Sequence, residues 1–307
     1  MPTQPATIGS WQIMPITGGT NNLLYRAFGP DADIVIKWCI RDTRQRAVRE
    51  HAALSLLHDA QPGCAPAPIM VDTTRYHQPV VVQSYVPGAV YATPPETDDE
   101  WQSLINCLVR IHQVQYRLDT PIQPAVINAH SVAAARQLIQ TQLDAIPFGE
   151  HPATLRELIR ALEATKIAEL PAMPLVLCHV DSNHRNFVRT LDGVVAVDWE
   201  NSGWGDPAFE IAELIAHPAY MTVSQSRWQW VINTYIRTCA DPLAMRQRIE
   251  THLRVYRVWW VARFARYLYE VPGGRDQRLV ARNSDWQHDM QTKYDRYLAD
   301  AWRGLEI

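Results

Sequence analysis

Apolar and polar positions divide this chain into a β-patterned first part and a helix-patterned remainder. Leu23 to Phe28 alternates as a half-buried strand does, and Asp33-Ile34-Val35-Ile36-Lys37-Trp38 is a second strand rich in β-branched residues. Before them, Ile16-Thr17-Gly18-Gly19-Thr20-Asn21-Asn22 is a turn-rich loop between short apolar segments. Arg44 to Leu57 places Ala47, His51, Leu54 and Leu57 at helical spacing. Pro62, Pro66 and Pro68 interrupt the chain before Ile69-Met70-Val71. Pro79 to Tyr85 is an apolar strand that runs into Val86-Pro87-Gly88, which reads as a hinge.

From Asp98 onward the rhythm is that of long helices. Trp101, Leu104, Ile105, Leu108 and Ile111 form one apolar stripe over 101–114, and helical patterns continue over 131–143 and 154–170. Leu175-Val176-Leu177-Cys178 is a short buried strand delivering His179. Phe187 to Arg189 and Val194 to Val197 flank the turn Thr190-Leu191-Asp192-Gly193, which is a hairpin signal. Asp206 is placed to cap a helix with Pro207 at its first position, and further helices are expected over 226–238, 243–270 and 277–303. The order predicts an α+β protein with a β-rich lobe over 1–86, a hinge over 87–97, and a helical lobe over 98–307 that carries a hairpin.

Composition narrows the class without naming it. A chain of 307 residues with 47% apolar and 20% charged side chains is ordinary for a globular protein. A formal charge of -3 without a clustered basic tract argues against nucleic acid as a partner. No apolar run reaches the length of a membrane span, and the N-terminus lacks the pattern of a signal peptide. Five scattered cysteines without a C-x-x-C pair fit a cytoplasmic location and give neither a disulfide framework nor a zinc site.

The chemistry is concentrated in His179-Val180-Asp181-Ser182-Asn183-His184-Arg185-Asn186 and in Val194-Val195-Ala196-Val197-Asp198-Trp199-Glu200. Phosphoryl transfer needs a carboxylate to meet the acceptor hydroxyl and hard oxygen donors to hold a divalent cation against the phosphates. Asp181, in a loop past a buried strand, suits the first role; Asn186 and Asp198 suit the second. Glu200 would share a face with Asp198 if strand geometry continued, as a second metal or substrate contact or as a partner for a cation. His179 is read as a structural residue bonded to the loop backbone, His184 and Arg185 as loop surface, and Trp199 as core. Lys37 on its apolar strand reads either as a solvated strand edge or as a lysine reaching nucleotide phosphates, with Glu50 in the next helix to fix it. Gly19, Thr20 and Asn21 would fold over the phosphates, although their loop is neither G-x-G-x-x-G nor a P-loop.

These pieces, with VVVQSYVPG at the hinge, LVRIHQ at 108–113 and GDPAFEIAEL after the second carboxylate, resemble the aminoglycoside phosphotransferase and choline kinase superfamily. The resemblance covers most of the chain from the glycine loop to about residue 217. It implies a bilobal protein-kinase-like fold, ATP and Mg²⁺ as cofactors, adenine held at the hinge by backbone near Ser84 and Val86, Asp181 as base, and Asn186 with Asp198 as magnesium ligands. The sequence departs from the family where Ser182 and Asn183 follow Asp181, where Arg185 replaces a frequent glycine, where Ser84 replaces a hinge glutamate, and where Glu210 replaces an aspartate. The acceptor expected is a hydroxyl on a small, cationic molecule, an amino sugar or an amino alcohol such as choline or ethanolamine, with thiamine and other hydroxylated metabolites left open. Two clues point there: Asp206, Glu210 and Glu213 at helical spacing, and the aromatic stripe Tyr256, Trp259, Trp260, Arg263 and Tyr267. Each has a plainer reading, as a helix cap with dipole-complementing glutamates and as core. The alternatives are a non-catalytic kinase-fold binding module and a protein kinase; the absence of D-F-G and A-P-E disfavours the latter.

Overall fold

The structure, a computed structural model, describes residues 4–17, 21–275 and 278–305. Contacts divide the described residues into two compact units, one within Met1–Val126, Val176–Trp204 and Gln277–Ala281, the other within Ile127–Leu175, Gly205–Asp276 and Arg282–Ile307.

The first unit is built on a six-stranded antiparallel sheet. Its strands are β1 (Ala6–Ile8), β2 (Trp11–Ile16), β3 (Leu23–Phe28), β4 (Asp33–Trp38), β5 (Pro68–Asp72) and β6 (Val80–Ser84), in the order β1-β2-β3-β4-β6-β5. β6 lies between two neighbours and is buried over Val80–Gln83, which is why it reads as a continuous apolar run rather than an alternation. Helix α1 (Arg46–Ala60) packs on β5 and β6.

The same unit holds β7 (Ala89–Val90), α2 (Asp98–His112), β8 (Val176–Cys178) and the hairpin β9 (Phe187–Thr190) and β10 (Gly193–Ala196). β7 joins the hairpin by pairing with β9. Gly88 makes that approach possible, since a Cβ there would overlap the Arg189 carbonyl. The expected stripe of α2 is its buried face, with Trp101, Leu104, Ile105, Leu108 and Ile111 all buried. Thr97 and Glu100 close a capping box at its start, and three acidic residues in the first turn favour the helix dipole. α2 packs against β8, the strand before residues 179–186, and against β10, the second strand of the hairpin after them.

Beyond a short strand β11 (Gly203–Gly205), the second unit is helical: α3 (Val132–Leu143), α4 (Ala153–Ala164), α5 (Pro207–Ala216), α6 (Gln225–Ile236), α7 (Pro242–Glu270) and α8 (Trp286–Leu305). α5 is buried along its whole length, and α7 packs against α3, α5 and α8. Asp206 caps α5 by accepting from the Ala208 N–H at 2.9 Å. Two helices are shorter than their periodicity suggests. α4 ends at Ala164 rather than continuing to 170, because Thr165 turns extended. α8 begins at Trp286, after a non-helical stretch with Asn283-Ser284-Asp285. No helix among the described residues is long and apolar enough to cross a membrane.

Candidate active site

All candidate transfer residues that the structure describes belong to the first unit. β4 alternates so that Val35 and Lys37 point inward. The Lys37 side chain is buried, an expensive place for an ammonium unless carboxylates surround it. Three do. Lys37 Nζ donates to Glu50 Oε2 at 2.7 Å and to Asp198 Oδ1, and it stands 3.6 Å from Glu200 Oε2. Glu50 comes from α1, which places it on the helix face turned to the sheet. Burial alone would drive the Lys37 pKa down, but Asp198, Glu50 and Glu200 together hold it well above its ordinary value.

Asp198 arrives just past β10. The strand ends at Ala196, and Asp198 has φ 67°, in the left-handed region that a residue with a Cβ enters rarely. The expected continuation of strand geometry to Glu200 therefore does not hold. The backbone turns, yet both carboxylates still approach Lys37. Burial opposes ionisation of Asp198, and the Lys37 ammonium overcomes it, keeping the carboxyl below its ordinary pKa. Glu50 is pushed by burial up to about 7 against the pull of Lys37.

Residues 179–186 follow β8. His179 is buried, and its Nε2 contacts the Val197 carbonyl at 2.8 Å, as its structural reading expects. Val180, before Asp181, is also left-handed, with φ 54°. Burial, followed by the Asp198 and Glu200 charges, pushes the Asp181 carboxyl up to about 7. The Asn186 amide nitrogen donates to the Asp181 carbonyl at 3.1 Å, which leaves its Oδ1 as the atom able to accept or to ligate. Arg185 is exposed, but His184 is not loop surface: it is buried, with Nδ1 2.7 Å from the Tyr91 carbonyl. That bond ties the loop to the chain just past β7, a pairing across 93 positions that local spacing does not encode. Trp199 is core, with its indole N–H donating to Ala196 O at 2.9 Å.

Of the expected loop residues, Gly19 and Thr20 lie outside the described residues; Asn21 accepts from the Leu279 N–H at 2.9 Å through its carbonyl. Ser84 spends its N–H on the Ala67 carbonyl and accepts the Ala67 N–H at its hydroxyl, while Val86 is the second residue beyond β6. Asn22, at the end of the expected loop, and two arginines to which sequence reasoning gave no role complete the cluster. Asn22 donates to Glu200 Oε2 at 2.5 Å, Arg46 donates to Glu200 Oε1, and Arg44 donates to Asn201 Oδ1 at 3.1 Å.

The donor set suits a hard divalent cation. Asp198 keeps 33% of its side chain exposed and Asn186 offers an amide oxygen; carboxylate oxygens of Glu50 and Glu200 lie within 4.8 Å of Asp198, but both oxygens of Glu200 already accept from Asn22 and Arg46. In the second unit, the acidic residues near α5 are buried. Asp206 is fully buried, bonded by Arg248 Nε at 2.5 Å and 3.0 Å from His252 Nε2, and Glu210 and Glu213 are buried as well. The aromatic stripe is largely core: Tyr256 and Trp259 are buried and stacked at 4.9 Å between ring centroids, and Trp260 packs against the same cluster.

The profile of the phosphotransferase enzyme family matches residues 12–248. Thiamine kinase from Shigella flexneri serotype 5b is 27% identical over 262 residues, covering 85% of this chain and 77% of that protein. Spectinomycin phosphotransferase, solved with ADP and spectinomycin, superimposes with a TM-score of 0.66 at 15% identity, covering 96% of this chain and 94% of the other. A choline/ethanolamine kinase family protein from Mesorhizobium loti superimposes with a TM-score of 0.62 at 20% identity, covering 96% and 88%. The last two share the kinase-like α+β fold.

Proposed function

This chain belongs to the phosphotransferase enzyme family, and from that premise we propose that it transfers the γ-phosphoryl group of ATP to a hydroxyl of a small cationic molecule. The observation that carries the reading is the ion-paired set Lys37, Glu50 and Asp198, formed beside an Asp181 whose carboxyl is held near neutrality. A carboxyl near 7 is ionised enough to accept a proton and basic enough to hold it. Asp181 takes the proton of the acceptor hydroxyl as its oxygen bonds to the γ-phosphorus, and the bond from that phosphorus to the β-γ bridging oxygen breaks, releasing ADP. Lys37, fixed by Glu50, meets the phosphates. Asn186 and Asp198 would hold Mg²⁺, which when bound neutralises charge on the phosphates. Adenine is assigned to the backbone near Ser84 and Val86, and the phosphates to the loop of Gly19, Thr20 and Asn21. In this reading 1–86 is the nucleotide lobe, 87–97 the hinge and 98–307 the lobe carrying the transfer loop, and the protein works in the cytoplasm.

Thiamine is the first acceptor to test, because thiamine kinases align with 85% of the chain and thiamine joins a fixed positive charge to a primary hydroxyl. The test is ADP release with thiamine, choline, ethanolamine and amino sugars, using wild-type protein and Asp181→Ala. Turnover with one class, lost in the variant while nucleotide binding persists, is expected. Undiminished turnover in Asp181→Ala overturns the assignment.

A further inference from the structure

We propose that Glu200 is a positioning residue for the nucleotide site, acting through Asn22 and Arg46, and not a second metal carboxylate. The proposal rests on the reading of Lys37 and Asp198 given above.

Glu200 is 2% exposed and both of its oxygens are engaged. Oε2 accepts from the Asn22 amide at 2.5 Å, with Lys37 Nζ 3.6 Å away, and Oε1 accepts from the Arg46 guanidinium. Each Glu200 oxygen accepts from a donor of the chain itself in a side chain closed to solvent, whereas Asp198 keeps a third of its side chain open. Its partners are equally committed. Asn22 is 4% exposed, and its Oδ1 accepts from the Ile40 N–H at 3.2 Å, so one amide bridges the start of β3 and the chain past β4. Arg46 also donates through Nε to Asp42 Oδ2 at 2.8 Å.

Glu200 thereby gathers three backbone segments that are distant in sequence. Asn22 stands immediately before β3, so its tie to Glu200 fixes the chain where it enters that strand. Arg46 begins α1, and Glu50 stands four residues on, over the same helix face. Fixing the first turn of α1 therefore fixes the carboxylate that holds Lys37. Asp198, two residues before Glu200, is set from the other side. One buried side chain thus correlates loop, lysine and metal carboxylate.

The test compares Asn22→Ala, Glu200→Gln and the double variant with wild-type protein. MgATP affinity is measured by calorimetry, Mg²⁺ half-saturation by titration at fixed nucleotide, and amide exchange over residues 21–24 by mass spectrometry. Each single variant is expected to weaken MgATP about tenfold and to speed amide exchange. The double variant should be no weaker than the poorer single one, because the two residues form one tie. Mg²⁺ half-saturation should stay within a factor of about two. A rise of about tenfold in Mg²⁺ half-saturation confined to Glu200→Gln would make Glu200 a ligand and overturn the proposal, as would additive losses or unchanged affinity. If Glu200→Gln does not fold, Asn22→Ser, which leaves the Glu200–Arg46 pair in place, decides alone through affinity and exchange. Failure of wild-type protein to bind MgATP would instead overturn the kinase reading.

Discussion

His179 Nε2 and the Val197 carbonyl lie 2.8 Å apart, so the residue two before Asp181 is bonded to the residue just before Asp198. The ring is also set edge-on to Trp199, at 4.6 Å between centroids. The imidazole thus spaces the proposed base from the proposed metal carboxylate without touching a reactant. His179→Ala is expected to cut kcat about 100-fold, the scale of a displacement near 1 Å at a reacting group. Nucleotide affinity should change little, and steady-state kinetics beside calorimetry separates the two.

Lys37→Met leaves Glu50 and Glu200 buried without their ammonium. The expected loss is about 3–5 kcal/mol of stability, together with loss of nucleotide affinity. The pH dependence has a definite sign. Glu50 titrates about 7 in the folded chain, above its ordinary range, so its protonated form favours folding. That contribution is present at low pH and is lost as pH rises through about 7. Without Lys37 the folded-state value goes higher still, so urea unfolding should show the variant falling further behind wild type at pH 8 than at pH 6.

Asp181, pushed up to about 7, must be ionised to accept a proton. The acceptor kcat/KM should therefore rise about tenfold per pH unit below 7 and level above it. Asp181→Asn should lose about 10²- to 10⁴-fold in kcat and lose that inflection. A pH–rate profile with the inflection intact in the variant would assign the titration elsewhere.

In the second unit, Arg248 donates to Asp206, to the Pro171 carbonyl and to the His130 carbonyl, and so binds α7 to the cap of α5 and to two loops. Arg248→Met is expected to cost about 3–5 kcal/mol, since it strands a buried carboxylate. Burial opposes the charge on Asp206, but His252 and Arg248 hold its pKa below the ordinary value. Its contribution is therefore present above the unfolded value near 3.8 and is lost as pH falls through the lower folded value. Acid unfolding followed by circular dichroism should be less steep in Asp206→Asn.

What could be read from the sequence follows from how locally each feature is encoded. The α2 stripe, the apolar run of β6 and the Asp206-Pro207 start of α5 are short-range signals, and the structure matches them. The helical pattern expected to 170 stops at Ala164 because apolar residues beyond it, Ile167 and Leu170, pack on the core without a helix. Asn283-Ser284-Asp285 was the available signal that α8 starts late. The tie from Glu200 to Asn22 and Arg46 spans 178 and 154 positions, and no periodicity carries such a pairing. Asp181, Asn186 and Asp198 are proposed from a local spacing that the chemistry itself suggests; the acceptor site has no comparable signature.

Lys37, Glu50, Asp181, Asn186 and Asp198 all fall within one of the two compact units. The consequence is one of inheritance. Insertions, deletions and drift within Ile127–Leu175 and Gly205–Asp276 leave the parts proposed for phosphoryl transfer intact in sequence. Change in that half of the chain, where it spares buried ties such as Arg248 to Asp206, leaves the proposed transfer residues themselves untouched.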